Sequence, residues 1–207
     1  VRTLNSSGIQ PDIIVARSEF PVDEKRKEKL SVFCNIKKQD IISAPDAESI
    51  YEIPLMFEEE NIAGRILSKF EMRAPKKDLL EWKKFVNTIK HPKKTVKIGI
   101  AGKYFRSGKF TLMDSYISVI EAIKHASFFF EAKPEIIWLD TEQYENNSRL
   151  LSELKNFDGI IVPGGFGSRG IEGKIKVIRY CRENKIPFLG LCLGMQLAVV
   201  EFARNVC

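Results

Sequence analysis

Cysteine and histidine are scarce in this chain of 207 residues, with four of the first and two of the second. Cys34, Cys181, Cys192 and Cys207 never form a CxxC pair, which excludes a sequence-encoded zinc finger or dithiol redox motif. Scattered, unpaired cysteines point to a reducing, cytoplasmic setting. No glycine loop ending in Gly-Lys-Ser/Thr is present to cradle a nucleotide triphosphate. Long apolar runs are also missing. The richest stretch, Ile186 to Val200, is too short to cross a bilayer and is interrupted by Gln196, so no membrane partner is expected. No signal peptide is visible, and the start at Val1 leads us to expect that a natural N-terminus precedes it.

What is present is an ordinary globular composition, 44% hydrophobic and 29% charged, with a formal net charge of +6. The charge is concentrated. Between Arg73 and Lys97 stand nine Lys and Arg against Asp78 and Glu81. Such a patch could serve nucleic acid, but its aromatics, Trp82 and Phe85, fall on the apolar side of a helical pattern. A solvated linker carrying one amphipathic helix, through Leu79, Trp82, Val86 and Ile89, is the preferred reading, without a nucleic-acid partner.

The most informative segment is Phe188-Leu189-Gly190-Leu191-Cys192-Leu193-Gly194-Met195-Gln196. A strand runs into a cysteine flanked by two glycines, and a helical pattern follows, as in a turn that presents a nucleophile. Helix N-termini favour thiolate over thiol. Upstream, Ile160-Ile161-Val162-Pro163-Gly164-Gly165-Phe166-Gly167 is another strand ending in glycines, able to aim backbone N–H groups at a developing oxyanion.

The coarse pattern is α/β. Strands are predicted at Asp12–Ala16, Asp40–Ile42, Val96–Ala101, Glu135–Leu139, Gly159–Val162 and Pro187–Leu191. Helices are predicted at Asp23–Phe33, through Ile50, Leu55 and Phe57 with Pro54 as a possible bend, and at Asp114–Phe129, Ser148–Lys155, Ile171–Arg182 and Leu193–Ala203. The first part looks too short to close its own sheet. From Val96 onward, alternating strands and helices predict a parallel sheet covered on both faces, with ligand at its C-terminal strand ends.

The cysteine elbow downstream of Pro163-Gly164-Gly165 resembles class I glutamine amidotransferases. Further motifs resemble the CTP synthase family: Gly8-Ile9-Gln10-Pro11-Asp12, Phe33-Cys34-Asn35, Ser49-Ile50-Tyr51-Glu52-Ile53-Pro54, Gly102-Lys103-Tyr104, Asp114-Ser115-Tyr116, Ser118-Val119-Ile120-Glu121-Ala122, and Val162 to Gly167 continuing as Arg169-Gly170-Ile171-Glu172-Gly173. They cover essentially the whole chain in the family's order.

That resemblance implies a fragment of three parts. Residues 1–72 would end a P-loop-type synthetase domain, 73–95 would be a basic linker, and 96–207 would be the first half of a class I glutaminase domain. It implies an enzyme that aminates UTP using ATP and ammonia released from glutamine. Cys192 would be the nucleophile. Gly165, Leu193, Gly194, Met195 and Gln196 would hold the oxyanion and the glutamine. Lys29 would contact UTP or CTP, and Pro45, Asp46 and Ala47 would lie beside the ATP adenine. Arg169, Gly170 and Glu172 would belong to a lid linked to GTP activation. Mg-ATP would serve the complete enzyme, with no metal ligand on this chain, and a homotetramer is implied. The phosphate-binding loop and much of the UTP site would precede Val1, and the glutaminase histidine and glutamate would follow Cys207.

Each assignment has a plainer counterpart. Lys29 stands in a charge run with Lys25, Arg26 and Lys27, which suits a solvated face. Asp46 could be a helix N-cap and Arg169 a loop cation. His125 and His91 are poor candidates for the base that serves the thiol, because they lie on a helix and in the basic linker. A class I amidotransferase with another acceptor, and a non-catalytic assembly or regulatory piece, are the rival readings.

Overall fold

The computed structural model describes residues 1–75, 78–102, 116–165 and 169–207. Lys103, Tyr104, Asp114, Ser115, Phe166 and Gly167 of the motifs above, and the start of the helix expected from Asp114, lie outside the described residues. The chain divides into two compact units, Val1–Asn87 and Thr88–Cys207.

The first unit is built on two parallel strands, β1 (Ile14–Ser18) and β2 (Ile41–Pro45), paired from Ile14 with Ile41 to Ser18 with Pro45. A short helix, α1 (Arg2–Ser6), precedes them, and α2 (Glu24–Cys34) connects them. Parallel neighbours need such a crossover. Asp23 starts α2, its carboxylate accepting the Arg26 N–H at 2.7 Å. Asn35 ends it in the left-handed region, φ 52°. Gln10 donates from its side-chain amide to the Cys34 carbonyl at 3.0 Å, so two motifs distant in sequence meet here.

Beyond β2, a 3-10 turn at Ile50–Glu52 leads into α3 (Ile53–Glu59) and then α4 (Ile62–Lys69). Pro54 does not bend a helix. It lies in the first turn of α3, where its missing N–H has no helical acceptor to lose. Lys27 reaches Glu60 at 2.9 Å, and Lys69 reaches the buried Asp40 at 3.0 Å. The Trp82 indole N–H donates to the Tyr51 carbonyl at 2.9 Å, with Phe85 edge-on to the Tyr51 ring. Trp82 and Phe85 belong to α5 (Leu80–Lys90), the helix in which the two units divide.

The second unit is a four-stranded parallel sheet ordered β4-β3-β5-β6. Its strands are β3 (Lys94–Gly102), β4 (Ala132–Asp140), β5 (Gly159–Val162) and β6 (Phe188–Gly190). The helices are α6 (Ile117–Phe129), α7 (Thr141–Asn146), α8 (Ile171–Glu183) and α9 (Leu193–Asn205). Two-residue alternation sorts the side chains by face. Ala101, Leu139, Ile160 and Val162 pack with Ile175, Ile178 and Leu197 of α8 and α9. Ile98, Ile100, Trp138 and Ile161 pack with Ile123 of α6. Helices therefore cover both faces, as the alternating pattern predicts.

The helix predicted at Ser148–Lys155 is present as a 3-10 helix, Ser148–Asn156. Leu151, Leu154 and Phe157 recur every three residues and all face the main core, which suits three residues per turn. The strand order reverses between β3 and β5. That is the switch point at which the C-terminal strand ends open a crevice.

Candidate functional site

Cys192 stands between β6 and α9 with φ 50° and ψ −111°, a conformation that a residue bearing a Cβ adopts only under constraint. The constraints are visible. The Leu191 N–H donates to the Val162 carbonyl at 2.9 Å, and the Gly194 N–H donates to the Leu191 carbonyl at 2.9 Å. A Cβ on Gly190 would stand 2.7 Å from the Gly194 backbone, and one on Gly194 would stand 1.9 Å from the Val162 oxygen. Both glycines are demanded by backbone meeting backbone.

The thiol is exposed at the start of a 13-residue helix. The turn after β5 lies directly against it. A Cβ built on Gly164 would be 3.5 Å from the Cys192 Cβ and 3.8 Å from its Sγ. Gly165 follows, half-buried. Of the other expected residues, Leu193 is half-buried and Gly194 buried, while Met195 and Gln196 are exposed in the first turn of α9. Cys181 is a different kind of cysteine. It lies in the core of α8, where burial pushes its thiol up to about 12.

Beneath the glycine turn lies a residue that the sequence reading passed over. Lys174 of α8 is 1% exposed, and its ammonium donates to the Pro163 carbonyl at 3.3 Å. A signal was available, since Ile171, Lys174, Ile175 and Ile178 recur at helical spacing and place Lys174 on the inward stripe.

The expected lid residues gather at the N-terminus of α8. Gly170 caps the helix with φ 76°, and a Cβ there would meet the Thr141 Oγ1 at 2.7 Å. Arg169 Nε donates to the Glu142 carboxylate at 2.6 Å. The Glu145 carboxylate accepts the Glu172 N–H at 3.1 Å and the Gly173 N–H at 3.3 Å. The Glu172 side chain reaches forward to Arg204 of α9 at 3.1 Å. α7 thus braces Arg169, Gly170 and Glu172, and Thr141 Oγ1 donates onward to the Gly102 carbonyl at the end of β3.

In the first unit, Pro45, Asp46 and Ala47 line a cavity of about 420 Å³ at the end of β2. Val15, Ala44, Ile50, Ile53 and Phe57 give it an apolar floor, and Arg17 stands at its rim with its guanidinium 2.9 Å from Asp46. Asp46 caps no helix. Its N–H donates to the Ser18 carbonyl at 3.0 Å, carrying the pairing of β1 and β2 one step further. Lys29 is exposed on α2 and lines neither this cavity nor the charged cleft formed by Glu24, Lys27, Lys37, Lys38, Gln39 and Arg65. His125 is exposed on α6, and His91 is exposed just beyond α5. Among the described residues, no three His, Cys, Asp or Glu side chains converge on a metal position. Among them, too, no helix is long and apolar enough to cross a membrane.

Comparison with known proteins places both halves. Residues 1–72 match the family model for the CTP synthase N-terminus, and residues 111–207 match that for glutamine amidotransferase class I. A CTP synthase of Carboxydothermus hydrogenoformans is 51% identical over 206 residues, which take in 100% of this chain and 37% of that protein. One from Sulfurisphaera tokodaii is 50% identical, again over 100% of this chain and 38% of its own length. The chain therefore spans a little over a third of the relatives it matches. A solved Trypanosoma brucei CTPS glutaminase domain with bound acivicin is 39% identical, with a TM-score of 0.48, covering 54% of this chain and 41% of that one.

Proposed function

The chain is a homologue of the CTP synthases over its whole length, and from that premise we propose that it carries the glutamine-hydrolysing nucleophile and part of the ATP site of an enzyme that aminates UTP to CTP. Residues 1–72 are read as the end of the synthetase domain, 73–95 as the linker, and 96–207 as part of the glutaminase domain.

The observation that carries the proposal is the Cys192 elbow, an exposed thiol in a constrained backbone with the Gly164 turn in contact. In the proposed reaction the Cys192 thiolate attacks the glutamine side-chain amide carbon. A C–S bond forms and the carbonyl becomes an oxyanion, held by backbone N–H groups of Gly165 and Leu193. Collapse breaks the C–N bond, and the nitrogen takes up the proton that the thiol gave up and leaves as ammonia. Water then cleaves the thioester to glutamate and frees the thiol. Gly194, Met195 and Gln196 line the glutamine side of this pocket.

The ammonia is proposed to displace phosphate from UTP phosphorylated at its 4-oxygen by ATP. The cavity beneath Pro45, Asp46 and Ala47 suits an adenine, with an apolar floor for the ring and a charged rim at Arg17 and Asp46. Lys29 is assigned to the pyrimidine nucleotide, and Arg169, Gly170 and Glu172 to the lid through which GTP activates. Magnesium is assigned to the ATP phosphates, and the described residues offer no cluster to hold it. Four free cysteines suit a reducing cytoplasm, and family resemblance supports a homotetramer.

The test is Cys192→Ala in the complete enzyme, assayed with glutamine and with added ammonia. The proposal expects CTP from ammonia and none from glutamine. Continued use of glutamine would make Cys192 a structural cysteine. Loss of both activities would overturn the separation into two sites.

A further inference from the structure

We infer that Lys174 is a positioning residue for the glutaminase step, its buried ammonium fixing the Pro163–Gly164 peptide beneath the thiol. The inference rests on the proposed glutaminase reading and adds a residue to it.

Lys174 is among the largest fully buried side chains of the described structure. Lysine is seldom buried to that degree, because its ammonium gives up water and its long side chain gives up rotamer freedom. A helix needing only an apolar filler between Ile171 and Ile178 would take leucine or methionine. Among its contacts, the ammonium reaches the carbonyl of Pro163, itself fully buried at the end of β5. Proline has no N–H, so this carbonyl is its whole backbone hydrogen-bonding capacity.

The Pro163 carbonyl and the Gly164 N–H belong to one planar peptide group, and in a trans peptide they point in opposite directions. A donor that holds the carbonyl therefore sets the direction of the Gly164 N–H and anchors the peptide that precedes the Gly165 N–H, the proposed oxyanion donor. Gly164 is the residue that stands against Cys192. Two successive glycines, Gly164 and Gly165, leave this turn free to rotate its peptides at little steric cost. Catalysis of acyl transfer needs donors aimed in advance at the place where charge develops. Lys174 supplies the bias that the glycines cannot. It touches no substrate and acts through the turn.

The inference is tested in the full-length enzyme with Lys174→Met, which keeps most of the length and removes the donor. We expect kcat for glutamine hydrolysis to fall at least tenfold while KM stays within twofold. Alkylation of Cys192 by iodoacetamide passes through no oxyanion, so its rate and pH profile should stay within twofold of the parent. Lys174→Arg, retaining a cationic donor, should return kcat to within about threefold of the parent, and Lys174→Gln should not.

An unchanged kcat in Lys174→Met makes the lysine a core filler and overturns the inference. A parallel fall in alkylation, or a shifted alkylation profile, assigns the effect to the thiol itself and also overturns it. If Lys174→Met does not fold, as read from its thermal midpoint, the Arg and Gln variants decide. Arg above Gln supports positioning, and equality refutes it. If Cys192→Ala still hydrolyses glutamine, the glutaminase reading fails and takes the inference with it.

Discussion

Gly194 and Val162 meet backbone against backbone: a methyl carbon on Gly194 would lie 1.9 Å from the Val162 carbonyl oxygen. The same oxygen accepts the Leu191 N–H at 2.9 Å. One carbonyl at the end of β5 therefore fixes both the approach to Cys192 and the first turn of the helix after it.

Gly194→Ala has no room to relax without moving β5 or α9. We expect it to cost about 3 kcal/mol or more, at the upper end of overpacking effects. Gly159→Ala, whose nearest new contact would be an ordinary 3.5 Å, should stay within about 1 kcal/mol. Thermal midpoints of the unfolding transition of the second unit in the two variants provide the comparison. Similar midpoints would mean that the elbow tolerates expansion.

Arg182 and Glu201 join α8 to α9 through two bonds, Nε to Oε2 at 2.9 Å and Nη2 to Oε1 at 2.7 Å. Arg182 holds the buried Glu201 carboxyl below its usual value of 4.5. A depressed carboxyl stabilises the fold above its unfolded pKa, and that contribution is lost as pH falls through the folded value. Glu201→Gln should therefore be less stable than the parent near neutral pH, by about 1–3 kcal/mol. The gap should close as the pH drops below about 4.5. Denaturant unfolding at pH 7 and at pH 3.5 measures it, and a gap that widened with acid would reverse the assignment.

The elbow was legible in the sequence because its residues are adjacent. Gly190, Cys192 and Gly194 lie within five residues, although only the Gly190 clash is with the elbow's own backbone, and that of Gly194 is with Val162 of β5. The strands of the second unit were legible for a similar reason, since sheet faces follow two-residue alternation. Arg17 was not, because its place at the cavity rim depends on β1 pairing with β2 and on Asp46, 29 positions further along the chain. The 3-10 geometry of Ser148–Asn156 was not legible either, since short apolar repeats suit either helix and packing decides between them. Lys174 and Glu201 look like surface charges by residue type. Only their positions on the inward stripes of α8 and α9 mark them as buried.

Lys29 is exposed on α2 and lines neither of the two cavities described above, so its proposed contact with the pyrimidine nucleotide is expected to depend on parts of the complete enzyme. If that contact is made, Lys29→Glu should weaken UTP use and CTP feedback inhibition together. One lost charge-assisted bond should cost about 1.5–3 kcal/mol in each. UTP saturation curves and CTP inhibition curves of the complete enzyme give both numbers. An unchanged pair would return Lys29 to the solvated face of its charge run.

Arg169 offers the sharpest separation of regulation from chemistry. Its side chain is 70% exposed and bonded to Glu142, so removing it disturbs no core packing. An exposed ion pair contributes at most about 1 kcal/mol, and the thermal midpoint of Arg169→Ala should hardly move. If the lid transmits GTP activation, the variant should lose most GTP stimulation of glutamine-dependent synthesis. Ammonia-dependent synthesis, which bypasses the thiol, should be spared. Titrating GTP against both nitrogen sources reads the two effects in one experiment. Equal loss with both sources would indicate a folding defect, and full GTP response would remove Arg169 from the lid.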